Sequence, residues 1–358
     1  MKRDRAWVLG VAFSIVCACG YYDSTLLEPG SQTDAGVDGA QGCESARPPQ
    51  RPSNTASGGT IEFIVAVQSI DFKEQGDYKS IGFDLDNTCT CQGDGPSCAL
   101  PSGAVEQDQC DGLGGRDNSA AGLIAASAML GLTSGDFNKD IKNGEWSLLL
   151  RVRGYNGQPD DDQVSVAWLV TNMRSAPPVW DGTDAWPIKT TCLNPDGQGK
   201  GDLENPKIID NNAYVSQGRL VASIKGGAPL DVNPQFSIVV TSSFIVAKVT
   251  PSGSSYALEE GVLSGLWIPR DLLKQLAGAK VGGVPLCTDN PLYSDIKKQV
   301  CKARDISANS SIPSQPCDAI TMAFAFVSKP ALVGAVVTPT PPEVPCTPAT
   351  DPANDDCK

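Results

Sequence analysis

The chain contains no histidine at all. Histidine is the usual general base near neutral pH and the commonest metal ligand. Its absence excludes Ser-His-Asp and Cys-His mechanisms, together with His-ligated zinc and iron sites. Carboxylate, Lys, Tyr and Ser-Lys chemistry stay open. Aromatic residues are scarce, at 6% of 358 residues. Positive charge is short as well: 28 Lys and Arg stand against 41 Asp and Glu, a net charge of −13. Such a surface repels phosphates and anionic headgroups and suits divalent cations, so nucleic acid is not an expected partner. What the chain does have is Gly (36), Pro (27), Cys (13) and 41% hydrophobic residues. That mix favours strands joined by many turns, in one large all-β domain or two smaller ones.

The amino terminus reads as an export signal. Lys2, Arg3 and Arg5 precede an apolar run from Ala6 to Val16, too short to span a membrane as a helix. Val16-Cys17-Ala18-Cys19-Gly20 resembles the lipobox of bacterial lipoproteins, with Cys19 at the lipidated position. Residues 1–18 are then a signal peptide, and losing their three bases and one acid takes the charge from −13 to −15. By resemblance to lipoprotein sorting, Gly20 after the cysteine implies the outer membrane, facing the periplasm or the cell surface. The membrane is the expected partner, through the lipid alone.

Eleven cysteines remain after Cys17 and Cys19. In an exported chain Cys89, Cys91, Cys98, Cys110, Cys192, Cys287, Cys301, Cys317, Cys346 and Cys357 are the disulfide candidates, with Cys43 left over. Cys346–Cys357 is the expected loop at the end of the chain; the four cysteines from 89 to 110 allow three connectivities. Residues 19–58 are poor in large apolar groups and read as a disordered tether. Residues 338–358, with six prolines, form a tail of the same character.

Between them, 59–337 reads as a single β-rich globular domain. Ile61, Phe63, Val65 and Val67 alternate as in a first strand. Further strands are expected at 146–152, 164–170, 214–215, 220–224, 236–249, 258–268, 320–327 and 332–337. Helices are expected at 118–130, from Pro269, and at 293–304. No βαβ rhythm runs through the chain. The fold predicted is a β-sandwich, jelly-roll or lectin-like, with short helical insertions and disulfide-stapled loops.

The chemistry is densest from Phe83 to Asn118. Asp84, Asp86, Asn87, Asp111, Asp117 and Asn118 are hard oxygen donors of the type calcium prefers, beside glycines 112, 114 and 115. The spacing is not that of an EF-hand. The same residues can cap turns and the helix at 118 with no ion at all. Cys89, Cys91, Cys98 and Cys110 could grip zinc as four thiolates, although their spacing is not that of a zinc ribbon. Asp84-x-Asp86-x-Thr88 resembles motif one of the haloacid dehalogenase superfamily. That resemblance implies a Mg2+-dependent phosphatase in which Asp84 attacks phosphorus and Asp86 acts as acid and base. Val239-Val240-Thr241 and Lys274 or Lys280 could pose as its later motifs, but no Gly-Asp or Asp-Asp pair follows a hydrophobic strand after them, so the final metal ligands are missing.

Elsewhere Asp160-Asp161-Asp162 reads as a solvated hairpin tip and Trp168 as core. Trp180 and Trp186 lie among prolines beside Asp181 and Asp184, the pairing of ring faces and carboxylates that a glycan groove needs. The apolar strand 236–249 allows a carrier of an apolar ligand. The lipobox, the tether, Gly82-Phe83-Asp84-Leu85-Asp86 with its cysteines, and Cys110-Asp111-Gly112 with Gly115-Arg116-Asp117-Asn118 together resemble uncharacterised secreted lipoproteins of myxobacteria. That resemblance implies location and no activity. The function expected is a non-enzymatic, surface-anchored binding or adhesion module for a glycan or protein, stabilised by calcium; the phosphatase and the carrier are the alternatives.

Overall fold

The computed structural model describes residues 43–53, 57–126, 128–233, 236–309, 312–341, 343 and 345–358. The expected signal peptide, Cys19 and residues 20–42 of the expected tether lie outside the described residues. In chain order the strands are β1 (Ile61–Asp71), β2 (Leu148–Tyr155), β3 (Asp161–Val170), β4 (Ala185–Lys189), β5 (Leu193–Pro195), β6 (Gly201–Pro206), β7 (Ile209–Ser216) and β8 (Arg219–Ile224). They continue with β9 (Ala228–Asn233), β10 (Phe236–Ser252), β11 (Ser255–Trp267), β12 (Lys280–Val281), β13 (Val284–Pro285), β14 (Ile320–Pro330) and β15 (Leu332–Val337). The helices are α1 (Ser119–Ala126), α2 (Ser134–Asn143), α3 (Pro269–Leu276) and α4 (Pro291–Lys302).

The protein is mainly β and disulfide-bonded, but the main sheet is not the expected sandwich. β1, β2, β3, β7, β8, β10, β11 and β14 each pair antiparallel with the next, and β14 returns to β1. The result is a closed eight-stranded barrel in meander order. Alternation of period two serves a sandwich and a barrel equally, so the sequence pattern could not separate them. Curvature comes from bulges. The β10–β11 ladder slips at Thr241/Phe244 and Val246/Lys248, where Ser242 (φ 46°) and Glu260 (φ 47°) take left-handed backbone. A bulge bends its strand and raises the local twist, which helps long strands roll into a ring.

The register sets the core rows. Phe63, Val152 and Val166 lie side by side, and Val65, Leu150 and Trp168 form the next row. Ala222, Ile245, Leu263 and Phe324 form another row. All are buried in one continuous core. Gly261 sits in mid-strand because Phe326 lies over it: a Cβ there would come within 2.5 Å of the ring.

α1, α3 and α4 bear out the sequence reading, while α2 escaped it. Only Phe137 and Ile141 mark its buried side. Its start is fixed by a capping box between Thr133 and Asp136, and its end by Gly144.

Both expected loose ends are corrected in part. Cys43, the predicted leftover, bonds Cys89, and residues 43–53 are tied along the barrel by Tyr214 Oη donating to the Pro49 carbonyl (2.5 Å) and by Arg51 stacked on the Tyr214 ring. The tail does not close on itself. Cys346 bonds Cys287 and Cys357 bonds Cys301, while Asp355 accepts from Tyr293 Oη (3.0 Å) and Lys297 Nζ (2.5 Å). These partners come from the α3–α4 region, which spacing along the tail could not reveal. Cys192, a predicted disulfide partner, is the free thiol among the described residues. It is buried beside β3, accepts from Val170 N (3.3 Å), and burial pushes its pKa up.

Candidate functional site: the acidic loop

The segment after residue 80 lies over the outer barrel wall without joining the sheet, and its alternation explains its composition. Phe83 and Leu85 pack down on Val221, Val246 and Val262. Asp84 and Asp86 therefore face away from the wall, into a layer formed by residues 87–117. Gly82 lets the returning chain approach: its φ is +110°, and a Cβ would lie 2.7 Å from the Asp117 carbonyl. Leu85 N donates to Asp117 Oδ2 (2.8 Å), which seats Asp117 beside the two earlier carboxylates. Three disulfides hold the layer in place, Cys43–Cys89, Cys91–Cys110 and Cys98–Cys317. With these bonds formed, the four-thiolate zinc set does not exist.

Asp84, Asp86 and Asp117 are all buried, and one oxygen from each lies within 4.8 Å of the others. Two oxygens bound to one calcium at about 2.4 Å can stand at most about 4.8 Å apart, so the spacing suits a shared ion. Each carboxylate also caps backbone. Asp84 Oδ1 accepts from Asn87 N (2.6 Å) and Thr88 N (3.2 Å), Asp86 Oδ1 accepts from Thr88 N (2.9 Å), and the hydroxyls of Ser45 and Ser97 donate to Asp84 and Asp86. Turn-capping and ion-binding are compatible, because a carboxylate keeps further lone pairs after accepting one N–H.

Burial comes first in the electrostatics of the cluster, and crowding of like charge adds to it. Burial, then repulsion from Asp86, Asp111 and Asp305, raises the Asp117 pKa well above the carboxylate range. Burial likewise raises Asp86, only partly offset by its hydrogen bonds to Ser97 and Thr88. Asp111 is pushed up to about 7 and Asp305 to about 6, by burial first and by Asp86 among their neighbours. Asp84, Asp111, Asp117 and Asp305 take part in no salt bridge among the described residues.

The six predicted donors thus separate into groups. Asp84, Asp86 and Asp117 converge. Asp111 sits beside them, accepting from Thr90 N (2.6 Å). Asn87 is turned out to Arg47, and Asn118 is spent anchoring the loop, accepting from Ala323 N (2.7 Å) and donating to the Tyr78 carbonyl (2.8 Å). No known protein family, curated sequence or solved structure matches this chain. The site therefore rests on its own geometry. Sequence reasoning missed Asp305, Ser45 and Ser97. Asp305 accepts from Ser119 Oγ (2.6 Å) and Thr321 N (2.8 Å), contacts that the fold alone creates.

The expected aromatic groove is closed. Trp186 is fully buried, with the Arg174 guanidinium 5.1 Å over its ring, because β15 pairs with β4 and covers it. Asp184 is buried too, accepting from Val179 N (3.1 Å) and Trp180 N (2.6 Å) and pairing with Arg174 at 2.8 Å. Trp180 is half-buried against Trp186, and Asp181 caps Thr183. Asp161, expected at a solvated tip, is also buried and fixes the β2–β3 turn through Asn156 N (2.7 Å) and Gly58 N (3.0 Å).

Proposed function

We propose that the protein is an exported, non-enzymatic binding module, held to the membrane through Cys19, whose acidic loop is organised by a calcium-type cation. The observation that carries this reading is the convergence of Asp84, Asp86 and Asp117 in a buried, mutually repelling cluster. A divalent ion removes that repulsion, and three carboxylates with neighbouring hydroxyls give it oxygen ligands. Five disulfides suit an oxidising compartment. The lack of histidine favours binding over catalysis.

Melting curves of the protein in EDTA and in calcium test the ion. At about a hundredfold excess over Kd the native state gains ~2.7 kcal/mol, a rise of roughly 4–5 °C for a domain of this size. The Asp117→Asn variant should lose most of that rise. Curves that coincide in EDTA and calcium would remove the cation from the proposal. Mass spectrometry of the native amino terminus tests the anchor: acylation at Cys19 supports it, and an intact Met1 overturns it.

A further inference from the structure

The barrel closes through β7 and β8, but these two strands pair over only part of their length. β7 stays paired with β3 as far as Ile209, and β8 stays paired with β10 as far as Ile224. Between themselves β7 and β8 pair only from Ser216↔Arg219 to Tyr214↔Val221. Beyond that rung the strands diverge, and a cleft of about 620 Å³ opens between them. The separation is built in. Asp210 sets its carboxylate across the gap, with Oδ1 accepting from Asn212 N (2.8 Å) and Oδ2 from Ser223 N (2.7 Å). A side chain stands where a ladder hydrogen bond would otherwise form. Arg51 caps the same rung by donating to the Asn212 carbonyl.

Three features of the cleft select its occupant. Its volume falls in the range of about 300–1,000 Å³ typical of ligand sites. None of its lining residues is aromatic, so the stacking surface that a sugar ring uses is missing. Its sides are strand edges, the surface to which extended peptides add by main-chain hydrogen bonds. Lys207 and Lys225 stand on the lining and belong to no salt bridge among the described residues; Lys207 Nζ donates to the Thr191 carbonyl (3.0 Å). On a protein of net charge −13, two lysines at one opening, against the single Asp210 carboxylate whose oxygens accept from Asn212 N and Ser223 N, favour an acidic ligand. Ile209, 38% exposed, adds an apolar surface to the same lining.

We infer that the β7–β8 cleft receives an extended, acidic peptide segment of a partner protein. This goes beyond the calcium reading and does not depend on it, because the residues involved are different.

The probe is a displayed library of random linear heptapeptides, selected on the full chain. The control is Gly226→Trp, since a Cβ at Gly226 meets nothing within 4 Å and the indole can plug the cleft without disturbing the wall. The expected result is enrichment of Asp- and Glu-containing peptides. Their affinity should fall about tenfold or more in Gly226→Trp and in Lys207→Glu/Lys225→Glu. An unchanged melting curve and calcium response in each variant show that the fold and the acidic loop are intact. Failure to enrich any peptide, or enrichment of peptides that ignore the plug, overturns the proposal. So does saccharide binding on a glycan array that the plug abolishes.

Discussion

Along the eight barrel strands there is no bonded cysteine; rows of Val, Leu, Phe and Trp and a closed ladder hold them. The layers laid over that barrel are the reverse. Among the described residues the 81–118 loop and the 343–358 tail contain no strand longer than an isolated bridge, bury polar groups as much as apolar ones, and carry or receive all five disulfides. The contrast shows two ways to offset chain entropy. Regular elements do so by burying apolar surface, and irregular ones by restricting the unfolded chain.

The largest expected effect tests the covalent half. Cys98–Cys317 spans 219 residues, for which loop-closure entropy gives ~5 kcal/mol. The Cys98→Ser/Cys317→Ser variant should show that loss in denaturant unfolding. Hydrogen exchange should rise in the loop before it rises in β1 or β2. Uniform exchange across both regions would dissolve the distinction.

The non-covalent half is tested by Trp168→Ala. Trp168 is fully buried and its indole donates to the Pro229 carbonyl (2.9 Å). Truncation should cost about 4 kcal/mol and lower protection in barrel and loop together. If the loop alone responds, the barrel is not the foundation of the molecule.

A third measurement sharpens the difference electrostatically. Asp86, Asp111, Asp117 and Asp305 have pKa values raised in the folded state, Asp111 to about 7 and Asp305 to about 6. The native protein therefore holds protons that the unfolded chain releases near pH ~4. Stability of the calcium-free protein is fully present below that point and falls as pH rises toward about 7. In EDTA the melting temperature should be higher at pH ~5 than at pH ~8. Calcium keeps the carboxylates ionised, so its stabilisation should grow over the same interval. A calcium-free profile that rises with pH would show that the cluster does not retain protons.

The smallest effect is local. Thr133→Ala removes the N-cap of α2 and should cost about 1 kcal/mol, read from the unfolding midpoint with the calcium response unchanged.

How much was legible follows the same division. Ile61 to Val67, Val164 to Val170 and the long runs of β10 and β11 announce strands by alternation, and the structure has them there. What alternation cannot carry is closure, because the β14–β1 pairing and the left-handed Ser242 and Glu260 leave no periodic trace. Trp186 looked exposed among prolines since its cover, β15, arrives from far along the chain. Asp305 joins the acidic cluster, and Cys43 its disulfide, for the same reason. Long-range contact decides each of these, and spacing along the chain is blind to it.

The order of the strands also sets a clock. The first barrel strand finds its second neighbour only in β14, the last to be made. A chain threaded through a translocation pore from its amino terminus cannot shut the ring until nearly all of it has crossed. The correct sulfur for Cys98, at position 317, is equally late. Cys89, Cys91 and Cys110 emerge long before it, so an early oxidant meets several wrong choices and few right ones. If the chain is exported as proposed, its maturation should need thiol shuffling after release, and its yield should follow isomerase supply more closely than the rate of synthesis.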